Sequence, residues 1–302
     1  MNASVLSNLK QLVCGPQQTG TMTLALNDKQ KELWNSTWKS RNPGVVLEGE
    51  QVETSEGTVS TYKEFIAALD NASLKEIIIK DRIDIDLTQS LDLNFGFKKI
   101  TVVDGFWDKY DAAINIVKSA NADPEAHLRV EISGASGRWK FNGSTTKANK
   151  YVIQSDAVQV FINNGILNLD GKLNAVNVKY ASCALFSTAI QVPSTSYAID
   201  VMTNGETETM LNLHDKAEIV GQVRFVLGNE DGIISSVNVD GNSSIHGALK
   251  VEGNGKRLQV NKMNGTVEGE GWSLYLSGGG NGGGNKPQGG NTNGNNFWFE
   301  EL

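Results

Sequence analysis

Cysteine, proline, histidine and long apolar runs are all scarce in this sequence, and each scarcity removes a class of answer. The two cysteines, Cys14 and Cys183, lie far apart, with no C-x-x-C pair and no histidine at metal-ligand spacing. Neither a disulfide framework nor a zinc site is implied, and both read as reduced thiols, Cys183 a buried one. The three histidines, His127, His214 and His246, are scattered and read as structural or exposed residues. No stretch approaches the roughly 20 apolar residues of a membrane-spanning helix. The opening M-N-A-S-V-L-S-N-L-K-Q-L-V-C-G has no basic segment ahead of an unbroken apolar one, so it does not read as a secretory signal. Synthesis in a cytoplasm is the expectation. The N-x-S/T sequons then reflect an Asn- and Ser-rich composition. A formal net charge of −7 makes the body acidic, which repels phosphate backbones and argues against a nucleic-acid partner.

What the chain does hold is glycine, 32 residues of it against 5 prolines, with frequent asparagine. That balance favours many turns between short strands over long helices, so the expected class is all-β.

The first fifty residues differ from the rest. Val5, Leu6, Leu9, Leu12 and Val13 form the apolar stripe of a short helix that Gly15-Pro16 ends. Asn27 and Gln30 match a capping box ahead of Leu33, Trp34 and Trp38, and Arg41-Asn42-Pro43-Gly44 stops this second helix. Between them, T-M-T-L-A-L reads as a strand. Residues 1–50 are expected to be a helical docking arm, with Leu6, Leu9, Leu12, Trp34 and Trp38 as candidate partner-facing residues. The alternative is that these helices pack on the main body.

From residue 51 to 276 the pattern is a ladder. Thr61 and Glu64 form a T-x-x-E capping box, and Tyr62, Phe65, Ile66 and Leu69 give the helix at 61–70 one apolar face. Short strands with period-two alternation follow: Ile77–Ile79, then Ile83, Ile85 and Leu87, then Leu91 and Leu93, then Ile100 and Val102. Such strands fit the successive sides of a β-solenoid, whose open end the helix at 61–70 would cover. N-G and D-G dipeptides punctuate the rest irregularly. Because they also favour antiparallel hairpins, a solenoid passing into a β-sandwich stays open.

Residues 277–296 form a Gly/Asn-rich flexible linker, and residues 297–302 end the chain in F-W-F-E-E-L. This aromatic and acidic tip, with Phe297, Trp298 and Phe299 as anchors, has the form of a docking tag. The alternative is that it folds back on its own body or on a neighbouring copy.

Candidate chemistry is thin. Asp84 and Asp86 share one face of a strand, about 7 Å apart, a pair able in principle to bind Ca²⁺ or to act as acid and base on a glycosidic bond. Alternating aspartates on a wet strand face are otherwise plain solubility. Gly15 to Thr21 has P-loop glycine spacing without the lysine, and Gly134-Ala135-Ser136-Gly137 is one residue short of a nucleophile elbow. Trp107, Trp139 and Trp272 are either sugar platforms or core.

The helix and ladder at 61–103 resemble the opening of the pectate-lyase-like right-handed parallel β-helix superfamily, and the likeness of texture runs to about residue 276. The superfamily includes polysaccharide lyases, polygalacturonases, surface adhesins and phage fibre or tailspike proteins. Its enzyme signatures match poorly. Asn238-Val239-Asp240 and His246-Gly247 resemble two polygalacturonase motifs, but no D-D dipeptide exists and Lys256-Arg257-Leu258 departs from the last motif. The resemblance therefore implies a right-handed parallel β-helix with an N-terminal capping helix, and a non-enzymatic bacteriophage virion protein: a head fibre, capsid decoration or tail-associated fibre. It would be made in the host cytoplasm and need no cofactor or metal. Its implied partners are its own copies as a homotrimer, capsid or tail proteins, and host surface polysaccharide, with no nucleic acid or membrane. A polysaccharide lyase, hydrolase or depolymerase and a bacterial surface adhesin are the alternatives.

Overall fold

In the computed structural model of the protein, the described residues are 57–134, 138–228, 235–253, 257–263, 265–270, 272, 275–276 and 296–300, with 22–24 and 45–47 before them. The chain divides into two compact units, Met1–Ser55 and Glu56–Leu302. In the first unit, β1 (Met22–Leu24) pairs in parallel with β2 (Val45–Leu47). Leu6, Leu9, Leu12, Trp34 and Trp38, with the two helices read around them, lie outside the described residues.

The second unit is a parallel β-solenoid with three faces, strands being numbered in chain order. Face one stacks β3 (Thr58–Val59), β4 (Glu76–Ile79), β7 (Lys99–Val102), the first parts of β10 (Trp139–Asp156) and β12 (Gly165–Lys179), β14 (Ala189–Gln191), β17 (Glu218–Val220), β20 (Ser244–His246) and β23 (Thr266–Glu268). Face two stacks β5 (Ile83–Leu87), β8 (Ala112–Lys118), the second parts of β10 and β12, β15 (Tyr197–Met202), β18 (Gln222–Leu227) and β21 (Leu249–Gly253). Face three stacks β6 (Leu91–Asn94), β9 (Arg129–Ser133), β11 (Gln159–Asn163), β13 (Cys183–Phe186), β16 (Met210–His214), β19 (Ser235–Asp240) and β22 (Arg257–Met263). Seven full turns, starting at β4 and ending at β22, rise about 34 Å at the ~4.8 Å strand spacing.

The expected alternation sets which side chains point inward. On face one, Ile77, Ile100, Phe141, Leu167, Ile190, Ile219, Ile245 and Val267 stand in register as one apolar column. Face two adds Ile83, Ile114, Ile153, Val176, Ile199, Val223 and Leu249. Face three adds Leu93, Ile132, Ile162, Leu185, Leu213 and Val239. All but the half-buried Val267 are buried, and each contributes roughly 1.5–3 kcal/mol of burial. Among the described residues the sheets stay parallel from β3 to β23, with no passage of the coil into a sandwich.

The helix at the start is α1 (Tyr62–Asp70), and its capping box is formed as expected. The Glu64 N–H donates to Thr61 Oγ1 at 3.2 Å, and the Glu64 carboxylate accepts from Thr61 N–H at 3.1 Å. Phe65, Ala68 and Leu69 are its buried face, and it packs on β3, β5 and β6 across the first turn. The apolar stripe is rotated from the expected one: Tyr62 lies on the exposed side and Ala68 replaces it. Phe65 meets Phe95 edge-on at 5.6 Å, and Phe95 meets Trp139 at 4.9 Å, which ties the lid to the third turn. The last turn of α1 has no basic residue; Lys98 Nζ donates instead to the Asn71 carbonyl at 3.1 Å.

Corners are where the backbone leaves the sheet, and they use two devices. At the corner from face three to face one, Asn164, Ser187, Asp215 and Gly241 all adopt the left-handed region, with φ of 55°, 48°, 54° and 52°. Ala157 and Tyr180 do so at the corner from face two to face three. The N-G and D-G dipeptides at 164 and 240 thus mark coil corners, where they had also been compatible with hairpins. Small polar side chains then take up backbone groups the strands abandon: Thr188 Oγ1 accepts from Gly165 N–H at 3.2 Å and donates to the Ile162 carbonyl at 3.0 Å.

At the corner from face one to face two, Gly221, Gly247 and Gly269 stack in successive turns. A Cβ on Gly247 or Gly269 would stand 1.8 Å from the carbonyl oxygen of the glycine one turn below, and backbone cannot yield there. Gly247→Ala should therefore destabilise the protein by about 3 kcal/mol, whereas Gly96→Ala, with open space around it and only a positive φ to bear, should cost about 1 kcal/mol. Urea unfolding followed by circular dichroism compares the two.

Candidate functional site

Outward side chains of the solenoid fall into rows, and the densest polar cluster lies on face two. Asp200, in the middle of β15, is only 1 % exposed although it points away from the core columns. Its carboxylate accepts two bonds from Arg224 one turn later, Nε to Oδ1 at 2.8 Å and Nη2 to Oδ2 at 2.6 Å. The Tyr151 hydroxyl, from two turns earlier, donates to Oδ2 at 2.5 Å. The Arg224 guanidinium also lies 4.4 Å over the Tyr197 ring, with Lys250 Nζ 5.5 Å from the same ring and Glu252 3.7 Å from Arg224. Two asparagines complete the surroundings: Asn177 donates to the Asp200 carbonyl, and Asn174 bridges Lys150 and Tyr197.

Burial first, and then the neighbouring carboxylate, push the Tyr151 phenol well above its ordinary value, so it stays protonated and donates. The bonds to Asp200 raise Arg224 despite its partial burial. This is a closed, charge-assisted network that ties three turns together and leaves Lys250 and Glu252 at its solvent edge.

Face three carries a second pattern. Asn212, Asn238 and Asn261 stand in register, and each successive amide donates to the one below at 2.6 Å. Beside them run Phe161, Phe186 and His214, with Phe186 and His214 stacked at 5.0 Å and 19°. His214 Nδ1 bonds the Asp240 carboxylate in the next turn. On face one, His246 bonds Glu268 in the same turn-to-turn manner at 3.1 Å.

The residues singled out from sequence do not converge. Asp84 and Asp86 do share the outer side of β5, but Asp84 is paired with Arg82 at 2.9 Å and accepts from Asn115 at 2.7 Å, while Asp86 accepts from Ser119 at 3.4 Å. No third metal-ligating side chain joins them among the described residues. Asn238 and Asp240 stand on face three and His246 on face one, so the two motifs that resemble polygalacturonase sequences lie on different sides of the coil. Trp107 and Trp139 are buried, which overturns a sugar-platform reading for them; Trp272 is half-buried and donates to the Gly247 carbonyl at 2.7 Å. Cys183 is a buried core residue whose thiol is pushed up to about 12 by burial. Phe297, Trp298 and Phe299 lie in β25 (Asn296–Glu300), whose backbone runs antiparallel beside β22.

The Asp200 cluster was missed from sequence, since its members lie 24 and 49 residues apart with no motif among them. Only the register of stacked turns brings them together. Compared with protein-family models, with curated proteins and with solved structures, the chain finds no match.

Removing one partner of the buried pair leaves a charge uncompensated. Arg224→Met should cost about 3 kcal/mol in urea unfolding at neutral pH, and the double change Arg224→Met with Asp200→Leu should recover part of that loss. The Tyr151 phenol has a folded value above its unfolded 10.0, so its contribution is full below pH 10 and is lost as pH rises beyond it. The urea midpoint should therefore fall above pH 10, with a slope of at most about 1.4 kcal/mol per pH unit from this one group. Tyr151→Phe should flatten that fall, and the remaining alkaline slope should carry the Cys183 thiol.

Proposed function

We propose that this protein is a non-enzymatic structural and attachment protein of a bacteriophage virion, a head fibre, capsid decoration or tail-associated fibre. The observation that supports it is where the outward polar side chains are committed. Asp84 to Asn115, Asp200 to Arg224, His214 to Asp240, Asn238 to Asn261 and His246 to Glu268 all join one turn to another. Chemistry needs groups free to meet a substrate, whereas here the same groups brace a stack. A braced stack is a stiff spacer about 34 Å tall by strand spacing, suited to carrying attachment segments away from a particle surface. Its partners on this reading are its own copies as a homotrimer, capsid or tail proteins, and host surface polysaccharide, held by several weak contacts that add through avidity.

Particle incorporation tests this reading. In the phage and host that encode the protein, the tagged full chain should co-sediment with purified particles, and deletion of residues 1–50 should lower incorporation at least tenfold while circular dichroism of the purified body is unchanged. Protein found only in the soluble fraction, or steady release of unsaturated or reducing sugar ends from host polysaccharide by the purified chain, overturns it.

A further inference from the structure

Face three is a sheet of nine strands, running from β6 through β22 to β25 and the short β24 (Tyr275–Leu276). Its middle turns carry an outward surface unlike the charged rows of face two. On β11, β13 and β16 the alternation turns Gln159, Phe161 and Asn163, then Ala184 and Phe186, then Met210, Asn212 and His214 away from the core columns. Lysine, arginine, aspartate and glutamate are absent from these positions. The rings form a continuous strip: Phe161 and Phe186 lie 6.1 Å apart, His214 stacks on Phe186 at 5.0 Å, and the Arg129 guanidinium stands 5.3 Å from the Phe161 ring centre. Each ring is half-buried, so one side of the strip meets solvent. Ala184, in register between Phe161 and Asn212, is covered and leaves no pit in it.

The polar groups bordering the strip keep hydrogen-bonding capacity. Among the described residues, the side-chain amides of Gln159 and Asn163 bond no protein group, and that of Asn212 is engaged only through its oxygen, which accepts from Asn238. His214 is held by Asp240 through Nδ1, which leaves Nε2 without a partner there. An amide presents N–H and C=O side by side, and a sugar hydroxyl both donates and accepts, so the two satisfy each other without charge. The C–H face of a pyranose is apolar and packs on the electron-rich face of an aromatic ring. Other partners fit less well. A protein partner anchors by driving an aromatic or arginine side chain into a pocket, strand addition needs a free sheet edge, and a phosphate backbone needs rows of cations. Here the strip has no pit, these strands are interior to the sheet, and Arg129 is already paired with Asp92 and Glu131.

We propose that the outer side of face three between β9 and β16 binds an uncharged polysaccharide. Phe161 and Phe186 are its ring platforms, and the amides of Gln159, Asn163 and Asn212, with His214 Nε2, meet its hydroxyls. The rows repeat at the ~4.8 Å strand spacing, close to the length of one pyranose, so a glycan laid along the coil meets a new turn with each sugar. The site rests on the virion reading only for the source of the glycan, the host surface.

Affinity electrophoresis of the full chain tests the site. Native gels carry a β-glucan, a mannan, a galactan or dextran, or the host surface polysaccharide split by anion exchange into neutral and acidic fractions. The expected result is retardation by at least one neutral polysaccharide. Phe161→Ala and Phe186→Ala should each weaken it at least tenfold, whereas Gln191→Ala, at an exposed amide on face one, should leave it unchanged. Because the phenylalanines are half-buried, the double change Gln159→Ala with Asn163→Ala, which removes no hydrogen bond among the described residues, keeps the test independent of folding. It should weaken retardation at least fivefold with an unchanged urea midpoint. The assignment is overturned if no neutral polysaccharide retards the chain, if only the acidic fraction does, or if retardation survives the double change. Capture of a host protein that Phe186→Ala releases, without any retardation, marks a protein interface and overturns it too. Incorporation into particles without retardation removes this site and leaves the virion reading standing; retardation without incorporation does the reverse.

Discussion

Everything in the body depends on parallel strands stacked in register, turn on turn. Register decides which side chains meet: like sits on like, so isoleucine stands over isoleucine and valine inside, and asparagine over asparagine outside. Inside, this gives columns of branched apolar side chains whose size must be matched in every turn, because a poor match is felt by both neighbours. Outside, the same rule sets like charges opposite one another, Asp92 against Glu131, Lys99 against Lys140 and Arg224 against Lys250, and a charge of opposite sign stands beside each pair: Arg129 by Asp92 and Glu131, Glu76 by Lys99, and Asp200 and Glu252 by Arg224. A single residue's role is thus set by the residues one turn away more than by its neighbours in sequence.

That dependence explains what could be read from the chain beforehand. The alternation at Ile83, Asp84, Ile85 and Asp86 declares an inward and an outward side within five residues, and the Thr61–Glu64 box declares a helix start within four; both are local and both form as read. The corners were less legible. Ala157 and Tyr180 adopt left-handed backbone without a residue type that announces it, and Asn142-Gly143, which looks like a turn, runs through the interior of β10. The turns also vary in length: cross-turn bonds span 22 to 28 residues in several places, while Lys99 and Lys140 face each other across the second turn. With α2 (Phe106–Lys109) and a loop near Ser119 inserted there, no fixed repeat survives in the sequence. The recurrence Ile219-Val220-Gly221, Ile245-His246-Gly247 and Val267-Glu268-Gly269 was the signal available for the glycine corner, and it lies in the most regular turns.

Function was less legible than fold for a related reason. Motifs are stretches of neighbouring residues, while the clusters on this surface are assembled across turns. Tyr151, Asp200 and Arg224 come from three strands, and two fragments that look like parts of one enzyme site fall on separate faces. In a coil, closeness along the chain says little about closeness on a face, so motif reading both invents sites and overlooks them.

The capping of the first turn has a consequence for how the chain reaches this state. α1 seals the first turn, and each later strand then needs only the strand laid down one turn before it, as Lys99 needs Glu76 and Glu268 needs His246. The body is therefore rich in sheet yet poor in distant pairings, with loops to close of about one turn each, which is the regime of modest topological cost. A chain emerging from the ribosome amino end first has its template already in place when each new strand appears, so growth has a direction built into the molecule.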